Sequence, residues 1–149
     1  MTLLKNKIVS PLICTLEYIF PEDVQSLENV ELSKVRIEPK PGKSFLPIYA
    51  TPGSFSYNEN PTDEDKGYLF RQVLKVYYPG VEPDTFTFLY NIERRKAIYR
   101  ITFQNDNQMI VGSMDVPASL KTAFQADQSV GTVLTITCDS DERTRFLVE

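Results

Sequence analysis

The sequence predicts a mainly β fold, an antiparallel β-sandwich or barrel with one short flanking helix, α+β only at the margin. Three observations predict it. Apolar residues alternate with polar ones in most segments, the period of a strand with one buried face. Pro-Gly pairs and an Asn-Asp-Asn run break these segments at short intervals, as turns do. Only the stretch 84–95 also fits helical spacing. With 149 residues, 42% hydrophobic and 24% charged, the chain reads as a single β-rich domain over 1–149, large enough to bury a core.

The first segment, "LICTLEYIF", puts Leu12, Cys14, Leu16, Tyr18 and Phe20 on one face of a strand. Lys5 and Lys7 before it imitate a signal peptide. Pro11 and Glu17 interrupt the apolar run, however, and no small-residue cleavage site follows. Ile13 is too bulky for a lipoprotein box at Cys14, and the run is too short to span a bilayer. No membrane partner is expected.

"ELSKVRIEP" sets Val35 and Ile37 against Lys34, Arg36 and Glu38, a half-exposed strand ended by Pro39. Turns surround a short strand from Phe45 to Ala50, and "YNENPTDEDKG" follows as a loop. The longest strand, "YLFRQVLKVYYPG", lines Phe70, Leu74, Val76 and Tyr78 along one face, with Arg71 and Lys75 on the other. Gln72 interrupts the apolar face, and Pro79-Gly80 ends the strand.

From Asp84 to Arg95, Phe86, Leu89, Tyr90 and Glu93 fit a helix, although Phe86, Phe88, Tyr90 and Ile92 also alternate. Pro83-Asp84-Thr85 supplies a helix start, and Arg94-Arg95-Lys96 suits the negative end of its dipole. A short helix is expected. "KAIYRITF" and "QMIVG" form a hairpin about "QNDN". "SLKTAFQ" places Leu120, Thr122 and Phe124 together, and "SVGTVLTITC" does so for Val130, Thr132, Leu134, Ile136 and Cys138. "TRFLVE" is expected to close the fold as an edge strand.

Composition narrows the chemistry. The net charge is -4 without a basic run, so sequence-specific nucleic-acid binding is not expected. The chain contains no histidine, which removes His-based triads, Cys-His dyads and His-ligated metals. Cys14 and Cys138 are far apart and form no CxxC pair, and a reducing compartment with free thiols is the default.

Several residues still merit a chemical reading. Gly112-Ser113 lacks the G-x-S-x-G pattern of a nucleophile elbow. A Ser-Lys pair of Ser113 or Ser119 with Lys121 would need a desolvated lysine, and Lys121 falls on a polar face. Glu59, Asp63, Glu64 and Asp65 offer oxygen ligands without EF-hand spacing, so no metal is expected there. The run from Asn58 and Glu59 through Asp63, Glu64 and Asp65 to Lys66, with the N-terminal segment, is instead the expected inter-subunit contact.

Arg94-Arg95-Lys96 is a weak phosphate cluster in an acidic chain. Tyr77, Tyr78, Tyr90 and Tyr99 would serve as a stacking platform for sugar or single-stranded nucleic acid, or simply pack in sheets. Cys138, on an apolar face, is expected to be buried and inert.

In their order, the TPGS turn, the strand from Gly67 to Gly80, the aromatic hairpin, the I-V-G-S strand end, the P-A-x-L start and the G-T-x-L-T strand form a familiar succession. From about Tyr49 to the C-terminus the chain resembles small virion proteins of tailed phages and prophages, of the tail or neck, similar to tail-tube subunits. The N-terminal third matches more loosely, through a strand followed by "PEDV". The resemblance implies a β-sandwich or barrel flanked by a helix, in subunits that stack as hexameric rings with a mildly acidic lumen. One departure is the aromatic, strand-prone stretch from Val81 to Arg95, where the family carries a plain helix.

The expected function is therefore a non-enzymatic virion structural protein, a tail-tube or tail-terminator subunit without a cofactor. Its partners would be copies of itself in a ring and other virion proteins, in the cytoplasm during assembly and then in the virion. The alternatives are a carbohydrate- or protein-binding β-sandwich module and, less favoured, a Ser-Lys hydrolase.

Overall fold

The structure, a computed structural model, describes residues 13–51, 53–64, 67–79, 82–126 and 130–148. Two sheets and one helix account for the architecture, and the sheets do not close into a barrel. The fold is mainly β and sandwich-like, as expected.

The larger sheet has seven strands: β1 (Ile13–Ile19), β2 (Val24–Glu31), β3 (Lys34–Pro39), β4 (Leu46–Ile48), β7 (Ile98–Phe103), β8 (Gln108–Val111) and β11 (Arg145–Leu147). Their order is β2-β3-β11-β8-β7-β1-β4. The smaller sheet has four strands: β5 (Ser56–Glu64), β6 (Gly67–Pro79), β9 (Ser119–Ala126) and β10 (Val130–Ser140), in the order β5-β6-β10-β9. It consists of two long hairpins set side by side. All strand pairs are antiparallel except β3 with β11.

Alternation placed the core correctly in most strands. Leu74 and Val76 of β6 stand opposite Ile136 and Leu134 of β10, and all four are buried. They meet Leu16, Tyr18, Tyr99, Ile101, Met109 and Val111 of the larger sheet in the main core. Ile19, Ile98 and Ile110 point from the same strands to the other face, where Val24, Val35 and Phe45 complete a second cluster. The middle of the larger sheet is thus apolar on both faces. This explains the unbroken apolar run Met109-Ile110-Val111 in β8.

The helix, α1 (Pro83–Glu93), starts with Pro83, whose missing N–H costs a helix nothing in its first turn. Asp84 suits the positive end of the dipole. Leu89 and Ile92, three apart, are its buried anchors, while Phe88 and Tyr90 stay exposed. The helical spacing therefore prevails over the alternation.

Three expectations need correction. The segment from Asn58 to Glu64 is strand β5, not loop, paired with β6 from Ser56↔Lys75 to Glu64↔Gly67. Pro61 suggested a loop, but β5 is an edge strand, where a missing donor is tolerated. Asp65 and Lys66 lie outside the described residues, as does the N-terminal segment to residue 12. The strand at Arg145–Leu147 is not an edge: it lies between β3 and β8. β2 had no expected counterpart, because Gln25, Ser26, Glu28 and Asn29 hide its weak alternation and two register shifts break it.

Candidate functional site

Several of the candidate residues have a structural employment. At Gly112 the backbone has φ +99°, and a Cβ there would lie 2.9 Å from the Ala118 amide nitrogen. The turn that follows is closed by Ser113: its amide donates to the Val116 carbonyl, and its hydroxyl accepts from the Val116 amide, both at 3.0 Å. The hydroxyl thus serves as a turn acceptor. Lys121 is exposed on β9 opposite Thr135 of β10, and Ser119 stands opposite Thr137.

Arg95 pairs with Glu22 and places its guanidinium 3.5 Å from the centre of the Phe20 ring. The cation is thus spent in packing. Arg94 and Lys96 are exposed. The four tyrosines do not form a platform. Tyr99 is buried at 0% exposure, and desolvation raises its hydroxyl pKa. Tyr77 lies against Gly131, where a Cβ would come within 2.5 Å of the ring. Tyr78 meets Tyr49 edge-on at 6.1 Å, and Tyr90 stacks on Phe86 at 6.0 Å. Cys138 is buried and its thiol donates to the Val116 carbonyl at 3.4 Å. Burial pushes that thiol up to about 11.

Glu59 turns inward. Its carboxylate accepts from the Thr144 amide at 2.5 Å and the Thr144 hydroxyl at 3.0 Å, and it lies 3.6 Å from the Arg143 guanidinium. Tyr57 joins the same hydroxyl at 2.7 Å. Beside them, buried Arg145 donates to Asn29 at 2.8 Å and pairs with Glu142 at 2.7 Å. This network ties the smaller sheet to the β10–β11 turn and to β2. Among the described residues, no group of three His, Cys, Asp or Glu side chains could hold a metal, and no helix is long and apolar enough to cross a membrane.

Two of the surface clefts among the described residues are sizeable. The larger of these, about 900 Å³, lies beside β4, with Pro47, Ile48, Tyr49, Phe55, Tyr78 and, from α1, Phe88 among its walls. Its polar edge carries the Glu17–Arg100 pair, two parallel hydrogen bonds at 2.9 and 2.8 Å with the guanidinium over Phe45. The second, about 650 Å³, lies among the β2–β3 turn, Phe70 and the Glu59–Thr144 network. Alternation could place Glu17 and Arg100 on polar faces, but only the register Glu17↔Arg100 shows that they meet. Comparison with protein-family models, curated proteins and solved structures finds no match for this chain.

Sheet edges are the remaining functional feature. Each of the four carries some blunting feature, and on β2 that feature is its two register shifts. β4 has three residues and includes Pro47, and β5 carries Pro61. On β9 the Thr122 amide and hydroxyl donate to the Glu93 carboxylate of α1, at 2.9 and 3.1 Å. The fourth edge, β2, has eight residues and no proline, and among the described residues it pairs only with β3. Its turn ends in Leu32, which is 98% exposed, with Val30 also exposed.

Proposed function

We propose that this chain is a non-enzymatic assembly subunit, a virion structural protein of the tail-tube or tail-terminator kind that associates with copies of itself in rings. The observation that carries the assembly reading is the β2 edge: a long, proline-free strand ending in a projecting apolar tip. Leu32, at 98% exposure, adds little to packing in a monomer, whereas in an interface it would be buried. Heterologous contacts between different patches of identical subunits generate rings where the rotation closes. The virion assignment rests on the order of sequence segments that resembles tail proteins, and the two-sheet, one-helix fold is compatible with it.

The exposed face of the smaller sheet carries Lys75, Lys121 and the Arg71–Asp139 pair. These residues alone do not make an acidic lumen wall of the kind the resemblance implies. The catalytic alternative finds little support in Ser113 and Lys121, one engaged in a turn and the other solvated. The binding-module alternative loses Tyr99 to the core.

Sedimentation velocity over a wide concentration range, with negative-stain microscopy of the largest species, tests the proposal. Closed rings of uniform size are expected. A strict monomer at the highest concentration would overturn it.

A further inference from the structure

We propose that the cleft beside β4 is a binding site for a neutral carbohydrate, taking a pyranose ring of an oligosaccharide. The site does not rest on the assembly reading above, and it uses Tyr49 and Tyr78, not the buried Tyr99. At about 900 Å³ the cleft falls within the range of roughly 300–1,000 Å³ typical of small-molecule sites.

The apolar part of the lining is largely aromatic. Tyr49 is 62% exposed, and Tyr78 meets it edge-on at 6.1 Å. Phe88 of α1 adds a further exposed ring, packed against Tyr18 at 5.9 Å. Aromatic rings suit the C–H face of a pyranose, which is apolar although its rim carries hydroxyls. Such packing buries apolar area and leaves the rim free for hydrogen bonds.

The polar part of the lining matches that rim. Among the described residues, Glu17 and Arg100 are the charged side chains of the cleft walls, and they pair with each other. The lining is therefore neutral and selects neither an anion nor a cation. The pair is also preorganised. Hydrogen bonds at 2.9 and 2.8 Å hold the guanidinium, which lies 4.1 Å from the centre of the Phe45 ring. Two of its N–H donors serve Glu17, and the others have no partner among the described residues. Both side chains stay partly exposed, so free donors and carboxylate lone pairs sit side by side. Neighbouring sugar hydroxyls, each a donor and an acceptor, fit that combination. Gln108, whose amide donates to Thr102 at 3.2 Å, adds a fixed carbonyl acceptor to the same lining.

The test is a glycan array probed with the full chain, followed by calorimetric titration with the strongest glycan. The array carries sialylated glycans and neutral ones of gluco, galacto, manno and N-acetylamino configuration. Saturable binding of a neutral glycan is expected. Tyr49→Ala should weaken it at least roughly tenfold, and so should Arg100→Lys, which keeps the charge but loses the planar fork. Because Tyr49 is well exposed, Tyr49→Ala should leave the thermal melt unchanged, so its loss of binding cannot be ascribed to unfolding. Tyr90→Ala removes an exposed ring outside the cleft and should bind as the parent does. Binding of no neutral glycan, or of sialylated glycans alone, overturns the proposal. So does a Tyr49→Ala variant that binds like the parent, or an equal loss in Tyr90→Ala. None of these outcomes touches the assembly reading.

Discussion

The carboxylate of Glu59 holds Thr144 twice, through its amide at 2.5 Å and its hydroxyl at 3.0 Å, across 85 residues of sequence. The contact fixes the turn between β10, in one sheet, and β11, in the other. Glu59→Ala removes the acceptor and leaves a half-buried amide without its partner, with Arg143 beside it. The expected loss is about 1–3 kcal/mol in a urea unfolding series. Tyr57→Phe removes one neutral hydrogen bond to the same hydroxyl and should cost about 0.5–1.5 kcal/mol. The double variant should lose less than the sum, because both act on Thr144.

Gly112 and Ser113 are neighbours with unequal demands. Gly112 has φ +99° and no room for a Cβ against the Ala118 backbone. Gly112→Ala should therefore cost at least about 1–3 kcal/mol from backbone strain, with the close contact adding to it. Ser113→Ala loses only a turn acceptor, worth about 0.5–1.5 kcal/mol. Equal unfolding midpoints for the two variants would contradict this account of the turn.

The contrast shows what the sequence could convey. Strands with one buried face announced themselves by alternation, and β6, β7 and β10 carry the core on the expected side. β2 did not, because an edge strand that buries only Val24 fully has no strong period to read. β5 was hidden by Pro61 and its acidic neighbours, features of a loop and of an edge strand alike. Strand order and register are tertiary facts. The Glu17–Arg100 and Glu59–Thr144 contacts depend on them, so neither pairing was legible beforehand. The same holds for β11, whose three residues gave no sign of lying inside a sheet.

Glu93 occupies the place where a neighbouring strand would present a carbonyl to Thr122. Leu89 and Ile92 keep the helix seated, so Glu93→Ala should leave the fold intact while freeing an edge amide and hydroxyl. The expected outcome is a small stability loss, on the order of 1 kcal/mol, with increased irregular aggregation on prolonged incubation. Light scattering over days checks it. Scattering no higher than that of the parent chain would show that the helix does not guard this edge.

Alkaline pH should weaken the fold, first through Cys138 and then through buried tyrosines, Tyr57 among them. Burial raises the Cys138 thiol from 9.0 to about 11, and it raises the Tyr57 hydroxyl from 10.0 to about 12. In both, the folded state favours the neutral form, so the unfolded chain releases the proton first as pH rises. Their contribution is complete below pH 9 and is lost progressively from there to about pH 12. Urea midpoints measured from pH 7 upward should stay level with respect to these groups and then fall. Cys138→Ala should remove the earlier part of that fall and leave the later part, to which Tyr57, Tyr99 and Tyr18 all contribute. Alkylation followed peptide by peptide gives an independent reading, since native Cys138 should resist iodoacetamide at neutral pH and react once the chain is unfolded. Rapid native labelling of the Cys138 peptide would mean that the interior beneath Val116 is open to solvent.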